Sequence, residues 1–181
     1  VKELGAGLVV MGTHGHTGLT KIRLGSVMES VLFQLEAPLI TVGPRVENSP
    51  ALGVIRRIVC AVDYSPAARR ALEHGVRLAE ETGAEIFVLH VVAKLETPES
   101  LASERQSLCD WVSPALRGRC SLTEIVRHGN PAEQIVAMAE ADRASLIVMG
   151  VEPRNFLGNL FFGTTVERAI RHATAPVLSL R

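Results

Sequence analysis

Two stretches of the chain end an apolar run in glycine and then space further small residues in a way suited to holding phosphate. The first reads Leu8-Val9-Val10-Met11-Gly12-Thr13-His14-Gly15 and, after nine more residues, reaches Gly25-Ser26. The second reads Leu146-Ile147-Val148-Met149-Gly150-Val151-Glu152-Pro153 and, after nine more, reaches Gly163-Thr164. A strand closed by glycine, a turn, and a small pair opening a helix can aim backbone N–H groups at anionic oxygens. The plainer alternative is a glycine that only ends a strand and a pair that only starts a helix. Each stretch runs on into a helix-like segment, an Ala-Pro pair and a last apolar strand, Leu39–Val42 or Val177–Leu180. That order, met twice, reads as an internal duplication. The copies differ at one telling place: Pro153 stands where the first has Gly15. Proline holds φ at about −65° and has no N–H to donate. The second loop is therefore expected to bind phosphate weakly or not at all.

Other reactive side chains are scattered. His14 and His16 lie in the first loop, but two histidines do not make a metal site. His90 ends an apolar run and reads as a structural histidine. Asp63 closes another such run, where a carboxylate could accept a ribose hydroxyl or equally cap the next helix through an Asx-turn. Arg154 could reach a phosphate, with an exposed loop arginine as the plainer reading. Leu157, Leu160, Phe161 and Phe162 form a bulky loop cluster suited to an interface. No G-x-S-x-G elbow or Walker A sequence is present. Nucleophilic catalysis therefore has little support.

Composition narrows the classes further. Nineteen Lys and Arg balance nineteen Asp and Glu, which leaves no electrostatic footprint for nucleic acid or an anionic membrane. No apolar run approaches the roughly 18–20 residues of a membrane helix. Cys60, Cys109 and Cys120 show no C-x-x-C spacing and fit a reducing, cytoplasmic setting. The chain opens Val1-Lys2-Glu3 and reaches a strand by residue 8, which reads as a piece of something longer.

The elements alternate. Residues 54–62 form an apolar strand ending at Asp63, and Ser65-Pro66 is a cap and first-turn pair. Ala68, Ala71, Leu72, Gly75, Val76 and Ala79 then follow a helical period, with Gly83 at the expected stop. Residues 86–92 form a buried strand. Thr97-Pro98 opens a helix carrying Leu101, Leu108, Trp111 and Ala115 on one side, and 122–126 reads as a strand. Asn130-Pro131 caps a helix, 145–149 is a strand, and a helix with Val166, Ala169, Ile170 and Ala173 leads to the last one. Such alternation calls for an α/β fold: a five-stranded parallel sheet with helices on both faces. The expected division is a partial copy at 1–43, a linker at 44–56 and a complete domain at 57–181.

Together, these features resemble the universal stress protein family. They are the Gly-x2-Gly-x9-Gly-Ser/Thr signature, the strand ending at Asp63 with Ser65 beyond, Leu89-His90-Val91, and Gly129-Asn130-Pro131. The resemblance covers nearly the whole chain and looks like the tandem type with a shortened first domain. It implies a Rossmann-like, adenine-nucleotide-binding fold that binds ATP, with Mg2+ only alongside ATP. The adenine and ribose end would fall on Ala61, Asp63 and Val91. The phosphate loop would fall on Met149, Gly150, Gly163, Thr164 and Thr165. Its counterpart in the first copy would be Met11, Gly12, Gly15, Gly25, Ser26 and Val27, which lacks adenine-walling strands of its own. The resemblance further implies that the two last strands meet edge to edge. Strand 8–11 would then need a neighbour, most simply from a homodimer, otherwise from a missing N-terminal fragment. The alternative to a stress-response nucleotide module is a structural or dimerisation module that no longer binds nucleotide.

Overall fold

The structure is a computed structural model of the chain. It describes residues 5–13, 31, 37–46, 54–93, 97–152, 154–156, 159–161 and 164–181. The expected loop residues His14, Gly15, His16, Gly25, Ser26, Val27, Pro153, Leu157, Phe162 and Gly163 lie outside the described residues.

The nine strands of the described residues are β1 (Val9–Gly12), β2 (Leu39–Val42), β3 (Arg57–Val62), β4 (Glu85–Val92), β5 (Leu122–His128), β6 (Leu146–Gly150), β7 (Arg154–Phe156), β8 (Asn159–Phe161) and β9 (Val177–Leu180). The helices are α1 (Pro66–Thr82), α2 (Pro98–Trp111), α3 (Pro114–Arg117), α4 (Pro131–Ala141) and α5 (Thr164–His172). Seven strands make one sheet in the order β1-β2-β9-β6-β3-β4-β5. Every neighbouring pair is parallel except β2 with β9. The sheet is thus wider than the expected five strands, because β1 and β2 join it across the β2–β9 seam.

Caps set the helix limits where the sequence put them. Ser65 Oγ accepts the Ala68 N–H at 3.1 Å, and Gly83 ends α1 in the left-handed region at φ 70°. Thr97 and Ser100 cap each other's backbone at the start of α2. Asn130 Oδ1 accepts the N–H groups of Ala132 and Glu133. One expectation fails here. Ala115 does not continue α2, which stops at Trp111; Pro114, lacking an N–H, instead opens the short helix α3 under the Ser113 cap. Leu160 and Phe161 lie not in an open loop but in the β7–β8 hairpin, with Asn155 opposite Leu160.

Strand alternation sorts the core into two layers. Val59, Leu89, Ile147, Met149 and Val177 face α4 and α5, meeting Ile135, Met138, Val166, Ala169 and Ile170. Ile58, Cys60, Ile86, Val88, Leu146 and Val148 face the other way, onto Ala68, Leu72 and Val76 of α1 and Leu108 of α2. A parallel sheet covered on both sides needs this continuous apolar composition.

The β1–β2 and β6–β9 pairs have matching registers. Val9 lies opposite Leu39 and Gly12 opposite Val42; Ile147 lies opposite Val177 and Gly150 opposite Leu180. Flanking hydrogen bonds also match. Val9 N–H donates to Pro38 O and Ile147 N–H to Pro176 O; Thr13 N–H donates to Val42 O and Val151 N–H to Leu180 O. At the seam Ile40 lies opposite Leu178, with Leu39 facing Ser179 and Thr41 facing Val177. The two last strands therefore meet edge to edge as expected, about a local two-fold at Ile40 and Leu178. Two residues just beyond β2, Gly43 and Val46, are buried. Val46 is 3% exposed, and a Cβ at Gly43 would lie 2.4 Å from the Ile170 carbonyl oxygen on α5.

Candidate nucleotide cleft

The carboxyl ends of β3 and β6 point at a cleft of about 310 Å3. The connection from β3 runs to α1 on one face, and that from β6 leads to α5 on the other. This is the point in the strand order where an open α/β sheet leaves a crevice for a ligand. Ala61, Val62, Asp63 and Ser65 supply one wall, and Leu89 and Val91 extend it from β4. Met149, Gly150, Val151 and Glu152 supply the second, Pro131 and Ile135 come from α4, and Thr164, Thr165 and Val166 open α5.

The structure thus brings Ala61, Asp63, Val91, Met149, Gly150, Thr164 and Thr165 together around one space. Met11 and Gly12 are elsewhere. Because β1 and β2 run opposite to the other strands, Gly12 ends the edge strand β1 at the opposite end of the strands from Gly150, which lies on the central strand β6. Ser65, Pro131, Ile135 and Glu152 were not singled out as site residues from sequence. Ser65 and Pro131 carried a readable signal, since each sits in a cap that opens a helix beside a strand end.

Local bonds fix the β3–α1 turn. Asp63 Oδ1 accepts the Ser65 N–H at 3.2 Å, so the Asx-turn reading holds, and Asp63 is still an exposed lining residue. Tyr64 takes the left-handed conformation at φ 63°. Its ring stacks on His90, with centroids 4.2 Å apart, and leans on Trp111 at 5.6 Å. Burial and the nearby Glu104 carboxylate push the Tyr64 phenol up to about 12. His90 is buried, and its Nδ1 lies 2.9 Å from Val62 O; a carbonyl only accepts, so Nδ1 carries the proton. His90 is a satisfied structural residue, as the sequence suggested.

Gly150 has a packing role of its own. A Cβ there would lie 2.3 Å from both Ala67 C and Ala68 N, in the first turn of α1. The backbone of β6 passes so close to α1 that only glycine fits. No group of three or more His, Cys, Asp or Glu side chains able to hold a metal occurs among the described residues. None of the described helices is long and apolar enough to cross a membrane.

The family model described as the universal stress protein family matches residues 1–43 and 55–181. The chain belongs to the universal stress protein family. A universal stress protein of Methanocaldococcus jannaschii is 29% identical over 146 residues, covering 70% of this chain and 82% of that one. One from Mycolicibacterium smegmatis is 26% identical over 192 residues, covering 97% of this chain. A solved universal stress protein from Archaeoglobus fulgidus superposes with a TM-score of 0.73 at 24% identity, over 99% of this chain. This universal stress protein spans only 62% of the mycobacterial relative and 64% of the archaeal structure. A further solved neighbour, at TM-score 0.50 and 17% identity over 71% of this chain and 98% of its own, is a universal stress protein in complex with cAMP.

Proposed function

We propose that the cleft binds an adenine nucleotide and that the protein acts as a stress-response nucleotide-binding module. One observation carries this reading: seven residues named from sequence, on three strands, in the turn after β3 and at a helix start, line a single space. An apolar floor of Ala61, Leu89, Val91 and Ile135 suits a flat base. Asp63 can accept a ribose hydroxyl, and the α5 start offers hydroxyls and backbone N–H groups to phosphate. The cAMP-bound neighbour supports a nucleotide as the ligand class. The sequence expectation was ATP with Mg2+ alongside, and any hydrolysis would be incidental. Equilibrium dialysis of the purified chain against labelled AMP and ATP tests the reading. Saturable binding that Asp63→Ala weakens is the expected result; no saturable binding of either nucleotide refutes it.

The alternative, a structural module that no longer binds nucleotide, has one observation in its favour. The close approach to Ala67 and Ala68 accounts for Gly150 without any phosphate. Pro153→Gly separates the two readings: it raises affinity if the loop is only damaged and changes nothing if the module is structural.

The tandem reading, with 1–43 as the closing part of one domain and 57–181 as a complete second one, is supported by the matching hydrogen bonds of β1–β2 and β6–β9. In that reading β1 is an edge awaiting a neighbour. It ends the strand order, and Val10 and Leu8 are 61% and 47% exposed. A second copy of the chain or an N-terminal segment would pair there in the cytoplasm. Sedimentation as a monomer at micromolar concentration argues against the homodimer.

A further inference from the structure

The cleft's charge and its backbone donors say more about the ligand than its shape does. Among the described lining residues the only ionisable side chains are Asp63 and Glu152, and both are exposed acids. They leave neighbouring strand ends, since Ala61 lies opposite Met149 in the β3–β6 register. No lysine, arginine or histidine lines the cleft among those residues. Three backbone donors on this side are already engaged. Ser65 N–H binds Asp63 Oδ1, Ala68 N–H binds Ser65 Oγ, and Val151 N–H binds Leu180 O. Pro153, next in sequence after Glu152, has no N–H to offer. Among the described lining residues, Thr164 and Thr165 open α5, whose N-terminal end favours negative charge. At about 310 Å3, the space is near the lower end of the usual range for ligand sites.

We propose that this cleft selects an adenine nucleotide with a single phosphate over the triphosphate, and that Glu152 is the residue enforcing the choice. The inference rests on the nucleotide reading above and narrows it. One phosphate can sit on the α5 start, and each further phosphate adds negative charge to a space that already holds two carboxylates and, among the described lining residues, no cationic side chain. Repulsion at such a rim corresponds to roughly a tenfold loss of affinity.

Isothermal titration of the full chain with adenosine, AMP and ATP, the last with and without Mg2+, tests this. AMP is expected to bind at least about tenfold more tightly than ATP. Glu152→Gln should recover most of that gap by raising ATP affinity while changing AMP affinity little. Thr164→Ala with Thr165→Ala should bring AMP down toward adenosine. Thermal melting of each variant confirms that it still folds, and Glu152 is exposed, so its replacement removes charge rather than packing. The selectivity is overturned if ATP binds as tightly as AMP, or if Glu152→Gln leaves their ratio unchanged. It is also overturned if Mg-ATP binds best and loses that advantage in Glu152→Gln, which would make the carboxylates cation holders. If none of the three ligands binds, the nucleotide reading falls and takes this one with it. Equal binding of all three removes only the selectivity.

Discussion

Replacing Gly150 by alanine puts a packing claim and a functional motif in direct competition. The added methyl would sit 2.3 Å from Ala67 C and Ala68 N and 2.6 Å from Ala67 O, all backbone atoms in the first turn of α1. Ordinary contact begins more than 1 Å farther out, so β6 or α1 must move. Movement at Ala68 also disturbs the N–H that Ser65 caps. Overpacking costs about 1–3 kcal/mol and a weakened N-cap about 1 kcal/mol, so a total of roughly 2–4 kcal/mol is expected. In a chain of this length that lowers the Tm by about 4–16 °C, at roughly 2–4 °C per kcal/mol. Calorimetry with and without AMP measures it. Two other glycines calibrate the result. Gly118→Ala has open space and an ordinary φ of −76°, so it should be neutral or stabilise by up to about 1 kcal/mol. Gly83→Ala has open space but φ 70°, so it should cost about 1 kcal/mol. If Gly150→Ala melts within 2 °C or so of the parent chain, the close-approach argument is wrong and the glycine is there for a ligand alone.

Other expectations concern the seam and the buried groups. Thr41 Oγ1 donates to Val177 O at 3.1 Å inside the β2–β9 seam, so Thr41→Val should cost about 1 kcal/mol by urea titration. Ser179 Oγ is buried without a partner in the same seam, so Ser179→Ala should be neutral or stabilising. Burial pushes the Cys60 thiol from 9.0 up to about 12, so in the native state Ellman's reagent at pH 8 should label Cys109 and Cys120 and spare Cys60. An acid whose folded pKa is raised favours its protonated form in the native state. Cys60 should therefore subtract stability as pH climbs from about 9 to about 12, a loss absent in Cys60→Ala. Arg45 Nη1 donates to His172 O at 3.0 Å at the end of α5, and Arg45→Ala should cost about 0.5–1 kcal/mol because the site is exposed.

Much of the fold is written in local punctuation. Ser65-Pro66, Gly83, Thr97-Pro98 and Asn130-Pro131 stop and start helices through bonds confined to a few residues, so they are readable one at a time. Periodicity alone misleads at Ala115. Its spacing suits α2, but Pro114 breaks the backbone regardless of which face the side chain would take. The width of the sheet is a pairing fact. Residues 39–42 read as a strand, and the β2–β9 seam joins residues more than a hundred positions apart, visible beforehand only through the family likeness.

The site divides in the same way. Ala61, Asp63, Val91, Met149, Gly150, Thr164 and Thr165 share a motif spacing or a strand end, and they converge on the cleft. Ile135 and Glu152 converge with them without a signature of their own, because α4 folds over the strand ends and β6 lies beside β3. The closeness of Gly150 to Ala67 has no sequence signal at all, since the two are far apart in the chain and meet only when α1 packs on β6.

The most direct measurement is an amide-resolved NMR titration of the intact chain with AMP. Saturable shifts concentrated at Ala61, Asp63, Val91, Val151, Thr164 and Thr165 are the predicted result. Shifts confined to Met11 and Gly12 on the edge strand β1, or no saturable shifts anywhere, would contradict a nucleotide cleft at the ends of β3 and β6.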